Sequence, residues 1–173
     1  YAFAQLLMAY GMIDKGVTVT AGVRDRYDGA RRNPWNEIEC GSNYARSMAS
    51  WGAMAILSGF SFDAPRGHIG FAPRIQQRGA FRSFWSGANA YGTIELHEGR
   101  ARLGILGGDL RLADLGLPLG DRGATVTLNG RPVAATVRAD GLGLSSLDLV
   151  VGDVLEVSAP AISLRALPDL ATL

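Results

Sequence analysis

The sequence has 173 residues, of which 47% are hydrophobic and 19% are charged, so its composition is that of a globular chain and not of a disordered one. Seventeen basic residues against sixteen acidic ones leave a net charge of +1, which argues against a dedicated polyanion binder. The single cysteine, Cys40, excludes an intrachain disulfide and a multi-cysteine zinc site.

The first apolar run predicts a helix that is buried on nearly all of its faces. Phe3, Leu6, Leu7, Tyr10 and Ile13 fall at helical spacing. Alanines and methionines fill the other faces, which is typical of a helix with neighbours all round. The chain begins inside this run, with no methionine and no signal-peptide pattern, and we expect it to be a piece of a longer protein.

Two further helices are predicted before residue 60. The second covers residues 16–27, and a linker containing Pro34 follows it over residues 30–41. Ser42 is a suitable N-cap for the third helix, over residues 43–59. No apolar stretch approaches the ~20 residues that a membrane-spanning helix needs, so no span is expected.

From residue 67 onward the apolar residues alternate with polar ones, which predicts short β-strands. Asn129-Gly130 between two alternating runs predicts a hairpin, and residues 97–100 predict another turn. The glycine-rich stretches 107–109 and 141–143 are also interpreted as turns. Strands of this length and spacing are typical of an antiparallel sandwich or meander.

Residues 31–48 contain the densest cluster of functional side chains. Glu37 and Glu39 point to the same side of an extended backbone, so they cannot flank a glycosidic bond as acid and nucleophile. Arg46 lies near a predicted helix N-terminus and therefore needs an anionic partner or ligand. Spacing alone favours a structural ion pair. The alternative is a site for a polyhydroxylated ligand, with Trp35 as an apolar wall.

The run RDRYDGARRNPWNEIECGSNYARSMASWG, residues 24–52, resembles the C-terminal part of the catalytic domain of glycoside hydrolase family 116. The specific match is NPWNEIECG followed by YARSM, and it extends to GHIGFAPR at residues 67–74. This family contains bacterial β-glucosidases and β-xylosidases and the non-lysosomal, bile-acid-type glucosylceramidases. Its catalytic domain is an α/α barrel of six helical hairpins.

The resemblance implies roles for individual residues. The family's glutamate nucleophile and aspartate acid/base lie upstream of this motif, so neither is expected in this chain. The family's Glu and Arg that bind glucose hydroxyls match Glu37 and Arg46. Trp35, Glu39 and Asn43 are possible secondary contacts, and Asn43 stands where many members have His. With the resemblance, the ligand role of Glu37 and Arg46 is favoured over the ion pair.

The expected fold class is therefore an α+β fragment. Residues 1–66 are predicted to be the last helices of an α/α six-hairpin barrel, residues 67–159 an antiparallel β-rich region, and residues 160–173 a tail. The expected function is that of a fragment of a retaining β-glycosidase acting on β-linked glucosides, inactive alone and partnered by the rest of the barrel. The alternative is a non-catalytic carbohydrate-binding or assembly module.

Other candidate features are interpreted as structural. Cys40 is expected to be a small packed residue, and His68 and His97 lack the spacing of metal ligands. Arginines and aromatics interleave over residues 74–87, a pattern that can bind single-stranded nucleic acid, but packing of a strand is favoured. No cofactor, metal or nucleic-acid partner is expected, and the compartment is left open, with the cytoplasm favoured.

Overall fold

The computed structural model describes residues 1–26, 47–119 and 123–172, in two compact units. One unit lies within Tyr1–Leu57 and the other is Ser58–Ala171. The domain division predicted at residue 66 stays a prediction.

Three α-helices are described: α1 is Ala2–Ala9, α2 is Ile13–Arg24 and α3 is Trp51–Ser58. A short 3-10 helix, Ser47–Ser50, precedes α3. None of the helices in the described ranges has the length and apolar character needed to traverse a bilayer.

Helix α1 packs along one side only, which differs from the all-round burial that its sequence predicts. Ala4 and Met8 are buried, and Gly16 of α2 lies against them because a Cβ there would come within 2.5 Å of the Met8 side chain. Phe3 and Leu6, on other faces of α1, are more than half exposed. Gln5 of α1 also donates a hydrogen bond to the carbonyl of Ala49 in the 3-10 helix, but these described neighbours leave the faces of Phe3 and Leu6 uncovered.

Ten strands are described in the second unit. They are β1 Ser61–Asp63, β2 His68–Gly70, β3 Phe81–Ser86, β4 Ala90–His97, β5 Arg100–Gly116, β6 Thr125–Leu128, β7 Arg131–Val133, β8 Ala135–Arg138, β9 Gly141–Val150 and β10 Val154–Ser158.

Strand β5 is the centre of the sheet because its two halves have different partners. Its first half pairs with β4 and β10, which continue to β3 and to β6 and β7. Its second half pairs with β9 and β2, which continue to β8 and β1. The change of partners falls at residues 107–109, where Gly108 has a φ of 76°. The predicted turn at these residues is therefore wrong, since they lie inside a 17-residue strand.

The alternating apolar residues form the core of this unit. Ile94, Leu103, Leu112 and Leu155 are all buried, and burial alternates along β4 and the first half of β5 as the sequence predicts. The hairpin at Asn129-Gly130 is confirmed: Leu128 pairs with Arg131, and both turn residues have positive φ, as a type I′ turn requires.

The expected fold class is wrong. Ten strands and three short helices make the described chain mostly β-sheet, at 46% strand and 20% helix, and not the end of an α/α barrel. The sheet is mixed and not purely antiparallel, because β2 runs parallel to β5. Local period cannot reveal this pairing, since 46 residues separate the partners His68 and Asp114. Ile162 and Leu164, in the segment predicted as a tail, are buried in the second unit.

Candidate functional site

The site residues that the sequence predicts lie outside the described residues. These are Trp35, Glu37, Glu39, Asn43 and Arg46, and Cys40 falls in the same segment. Their roles therefore stay predictions. The candidate site that the structure does describe is elsewhere, on the sheet of the second unit.

Four polar side chains form a continuous hydrogen-bonded series, which we call the polar cluster. Ser61 Oγ lies 2.9 Å from His68 Nε2, and His68 Nδ1 lies 2.6 Å from Asp114 Oδ1. The other carboxylate oxygen of Asp114 accepts a hydrogen bond from the Arg138 guanidinium at 2.6 Å. The series thus joins β1, β2, β5 and β8.

Strand register brings the four residues together on one face. Ser61 pairs with Gly70 in β1 and β2, and His68 pairs with Asp114 in β2 and β5. Residues two apart in a strand share a face, so Ser61, His68 and Asp114 point to the same side of the sheet. The residues between them point to the opposite face, where Ile69 and Leu115 are buried.

Two glycines provide space for the imidazole ring of His68. A Cβ at Gly70 would lie 2.5 Å from Ser61 Oγ and 3.0 Å from His68 Nε2. A Cβ at Gly116 would lie 3.2 Å from His68 Cε1. Any larger side chain at either position would therefore press on the ring or on its bond to Ser61.

The hydrogen-bond partners determine which ring nitrogen of His68 carries the proton. An ionised carboxylate only accepts hydrogen bonds, so Nδ1 must donate to Asp114. The Arg138 guanidinium donates to the other oxygen of the same carboxylate. In a neutral imidazole Nε2 then has a free lone pair, which can accept the Ser61 hydroxyl proton.

A cavity of about 520 Å³ adjoins the polar cluster. Asp63, Arg66, His68, Asp114 and Arg138 line it, and Arg66 Nε lies 3.5 Å from Asp63 Oδ2. Ser61 is exposed, while the side chains of His68 and Asp114 are 25% and 28% exposed. Ser61 is not part of the cavity lining, and its hydroxyl is open to solvent, whereas the His68 ring and the Asp114 carboxylate are mostly shielded.

The cluster does not have the composition of a metal centre. In the three described ranges, no group of three or more His, Cys, Asp or Glu side chains is placed to hold a metal ion. The polar cluster contributes only one histidine and one carboxylate, with a guanidinium already bound to that carboxylate.

The sequence does not predict this site. The only role weighed for His68 from the sequence is that of a metal ligand, and no local motif marks Ser61 or Asp114. The alternation around His68 does predict a strand, but the parallel pairing with β5 is what brings Asp114 beside it. No signal in a single sequence gives that register.

Comparisons with known proteins give similarity to solved structures only. No family model and no curated protein matches the sequence. A β-arabinofuranosidase of glycoside hydrolase family 127 aligns at 17% identity over 69% of this chain and 21% of its own, with a TM-score of 0.42. A family 127 β-L-arabinofuranosidase from Geobacillus stearothermophilus T6 aligns at 22% identity over 70% and 19%, with a TM-score of 0.39.

A third solved structure, described as a glycoside hydrolase, aligns at 20% identity over 69% of this chain and 20% of its own, with a TM-score of 0.42. The chain thus spans about a fifth of the length of the structures it resembles. All three are glycoside hydrolases, and none is described as a member of family 116.

Proposed function

We propose that this chain is part of a retaining β-glycosidase that acts on β-linked glucosides and is similar to family 116. The observation that carries the proposal is the segment NPWNEIECGSNYARSM at residues 33–48. It combines two carboxylates, a guanidinium and a tryptophan within 16 residues, a composition suited to a polyhydroxylated ligand.

Glu37 and Arg46 are the proposed sugar-binding residues. Glu37 would accept hydrogen bonds from two neighbouring hydroxyls, and the Arg46 guanidinium would donate to hydroxyl oxygens. Trp35, Glu39 and Asn43 are proposed as secondary contacts. The nucleophile and the acid/base would come from the rest of a longer protein, so the 173-residue chain alone would not hydrolyse glycosides.

The test is steady-state kinetics of the full-length protein on an aryl β-glucoside. Glu37→Gln and Arg46→Ala should each raise KM and lower kcat, because hydroxyl contacts tighten in the transition state. We expect kcat/KM to fall by about 10- to 150-fold per contact, the effect of losing a hydrogen bond to a charged group, about 1.5–3 kcal/mol.

The matched control is Glu98→Gln, which changes an exposed glutamate of the β4–β5 turn. It should leave both constants unchanged. Unchanged kinetics in Glu37→Gln and Arg46→Ala would overturn the assignment of these two residues.

A second candidate function is a non-catalytic carbohydrate-binding module, and a pair of exposed aromatic rings favours it. Phe84 and Tyr91 are 44% and 48% exposed, their ring centroids lie 6.2 Å apart, and the Tyr91 ring rests directly on Gly107. Exposed aromatic faces held in place offer apolar surface against which a sugar ring can stack.

Calorimetric titration with a β-linked gluco-oligosaccharide tests the second candidate. Tyr91→Ala should weaken binding by about tenfold, whereas Tyr10→Ala, at an exposed tyrosine of the first unit, should not change it. Binding that is equal in both variants would remove this candidate.

A further inference from the structure

We propose that Ser61 is a nucleophile and that the polar cluster is a hydrolytic site for small carboxylic esters. The polar cluster shares no residue with the proposed sugar-binding residues, and the proposal does not depend on the proposed function. The three parts are the Ser61 hydroxyl, the His68 imidazole as general base and Asp114 as the residue that positions the imidazole.

The bond distances support this assignment. A nucleophile within about 2.6–3.2 Å of a base, with the base held by a third group, is the arrangement that activates a serine. Here Ser61 Oγ lies 2.9 Å from Nε2, and the opposite ring nitrogen lies 2.6 Å from the Asp114 carboxylate. Nε2 therefore faces the nucleophile and Nδ1 faces the positioning carboxylate, which is the arrangement of a serine–histidine–aspartate triad.

A purely structural role explains the His68–Asp114–Arg138 bonds, since they link β2 to its neighbour β5, and β5 to β8 across the intervening strand β9. It does not explain the hydrogen bond between Ser61 and His68. That serine is exposed, so water could satisfy its hydroxyl without His68. The missing side chain at Gly70 leaves the space that the Ser61–His68 bond occupies.

The cavity beside the polar cluster limits the substrate class. Its volume is about 520 Å³, and its lining includes His68, Asp114 and the guanidinium groups of Arg66 and Arg138 beside Asp63, but not Ser61. Arginine N–H groups can hold an ester carbonyl or an acyl carboxylate. An ester with a small acyl group, such as an acetyl ester, fits beside these charged groups better than an ester with a long alkyl chain.

The reaction balances with the residues of the cluster and water. Ser61 Oγ forms a bond to the ester carbonyl carbon while its proton passes to His68 Nε2. The tetrahedral intermediate expels the alcohol, which takes that proton, and leaves an acyl-serine. Water then attacks the acyl carbon, its proton passes to Nε2, and the carboxylic acid leaves as Ser61 recovers the proton.

The first test is covalent labelling of the full 173-residue chain with an alkyl fluorophosphonate, followed by peptide mapping by mass spectrometry. We expect one adduct per chain, on Ser61, with loss of fluoride. An unlabelled chain, or an adduct only on other residues, would overturn the proposal. This experiment uses only the wild-type chain, so its result does not depend on whether a variant folds.

The second test compares labelling rates of variants. Ser61→Ala should abolish the adduct. Ser146→Ala is the control and should not, because Ser146 is also exposed and accepts a hydrogen bond from a side chain, that of Arg111, but has no histidine beside it. Asp114→Asn should slow labelling by about 10²–10⁴-fold, the usual contribution of general-base catalysis. Labelling of Asp114→Asn at the wild-type rate would contradict the role of Asp114.

The third test is the rate of 4-nitrophenyl acetate hydrolysis. His68→Gln, which keeps a polar side chain of similar length, should lower the rate by about 10²–10⁴-fold, because an amide cannot serve as the general base. A rate unaltered by His68→Gln would show that hydrolysis does not use this ring.

Discussion

At the scale of single residues, the polar cluster depends on two glycines that have no side chain as well as on its own polar side chains. Gly70 and Gly116 leave the space in which the His68 ring lies between Ser61 and Asp114. In the sequence Gly70 follows Ile69 and Gly116 follows Leu115, but only the strand register shows which side chains fill the space above these two glycines.

Gly70→Ala should separate Ser61 from His68 while leaving the His68–Asp114 bond. The new methyl group would lie 2.5 Å from Ser61 Oγ, so the serine must move. We expect a loss of about 1–3 kcal/mol in the free energy of unfolding from overpacking, measured by urea denaturation. Fluorophosphonate labelling should slow as well.

The control is Gly22→Ala on α2, where a Cβ meets no atom within 4 Å. It should stabilise the chain by up to about 1 kcal/mol through helix propensity. Normal labelling of Gly70→Ala would mean that the space above Gly70 is not needed for the Ser61–His68 bond.

A second prediction at this scale concerns Asp153, whose pKa is lowered. The backbone N–H of Val150 donates to its carboxylate at 2.9 Å, and the Asn129 side chain donates at 2.7 Å. Because the pKa is lower in the folded state, the stabilisation is complete above the unfolded pKa of about 3.9 and is lost as pH falls through the folded value.

Asp153→Asn should therefore lower the free energy of unfolding at pH 7 by under about 1 kcal/mol, since solvent screens this exposed group. The difference from wild type should vanish below the folded pKa. Urea unfolding in steps from pH 7 down to the acid range measures it, and Asp148→Asn on β9 tests the general effect of removing one negative charge. A difference that persists at low pH would contradict the assignment.

At the scale of elements, β5 is the central strand of the second unit, because each of its halves pairs with a strand on both sides. Its buried residues alternate with exposed ones along the first half, so one strand offers a matched pair for mutation. Leu112 is fully buried, whereas Leu106 on the same strand is 55% exposed.

Leu112→Ala should lower the free energy of unfolding by about 2–5 kcal/mol, since it removes buried methyl groups and leaves a cavity. Leu106→Ala, the same substitution at an exposed position, should cost within about 0.5 kcal/mol. Urea denaturation of both variants measures the contrast. Equal losses would mean that the two leucines do not differ in burial as described.

The elements also show where a single sequence is informative and where it is not. Alternation located the strands, and Asn129-Gly130 located a hairpin, because both signals act between near neighbours in the chain. The glycines at 107 and 108 predict a turn, and this prediction is wrong. Gly108 lets β5 lie directly against the backbone of Asn89, and a close approach of this kind has the same sequence signature as a turn.

At the scale of the whole molecule, the prediction failed where distant segments meet. The apolar residues of the first helix predict burial on nearly all of its faces, and only the family resemblance implies a barrel around it; a helical period specifies the helix and not what surrounds it. The parallel pairing of β2 with β5 and the polar cluster built on it depend on residues up to 77 positions apart, from Ser61 to Arg138. The proposed sugar-binding residues rest on the sequence motif alone.

We propose that this chain is part of a glycosidase acting on β-glucosides, and a comparison of two substrates tests this proposal. The full-length protein is assayed for kcat/KM on an aryl β-glucoside and on the matching aryl β-L-arabinofuranoside. The proposal predicts hydrolysis of the glucoside with the higher kcat/KM. Preference for the arabinofuranoside, or no hydrolysis of either substrate, would contradict it.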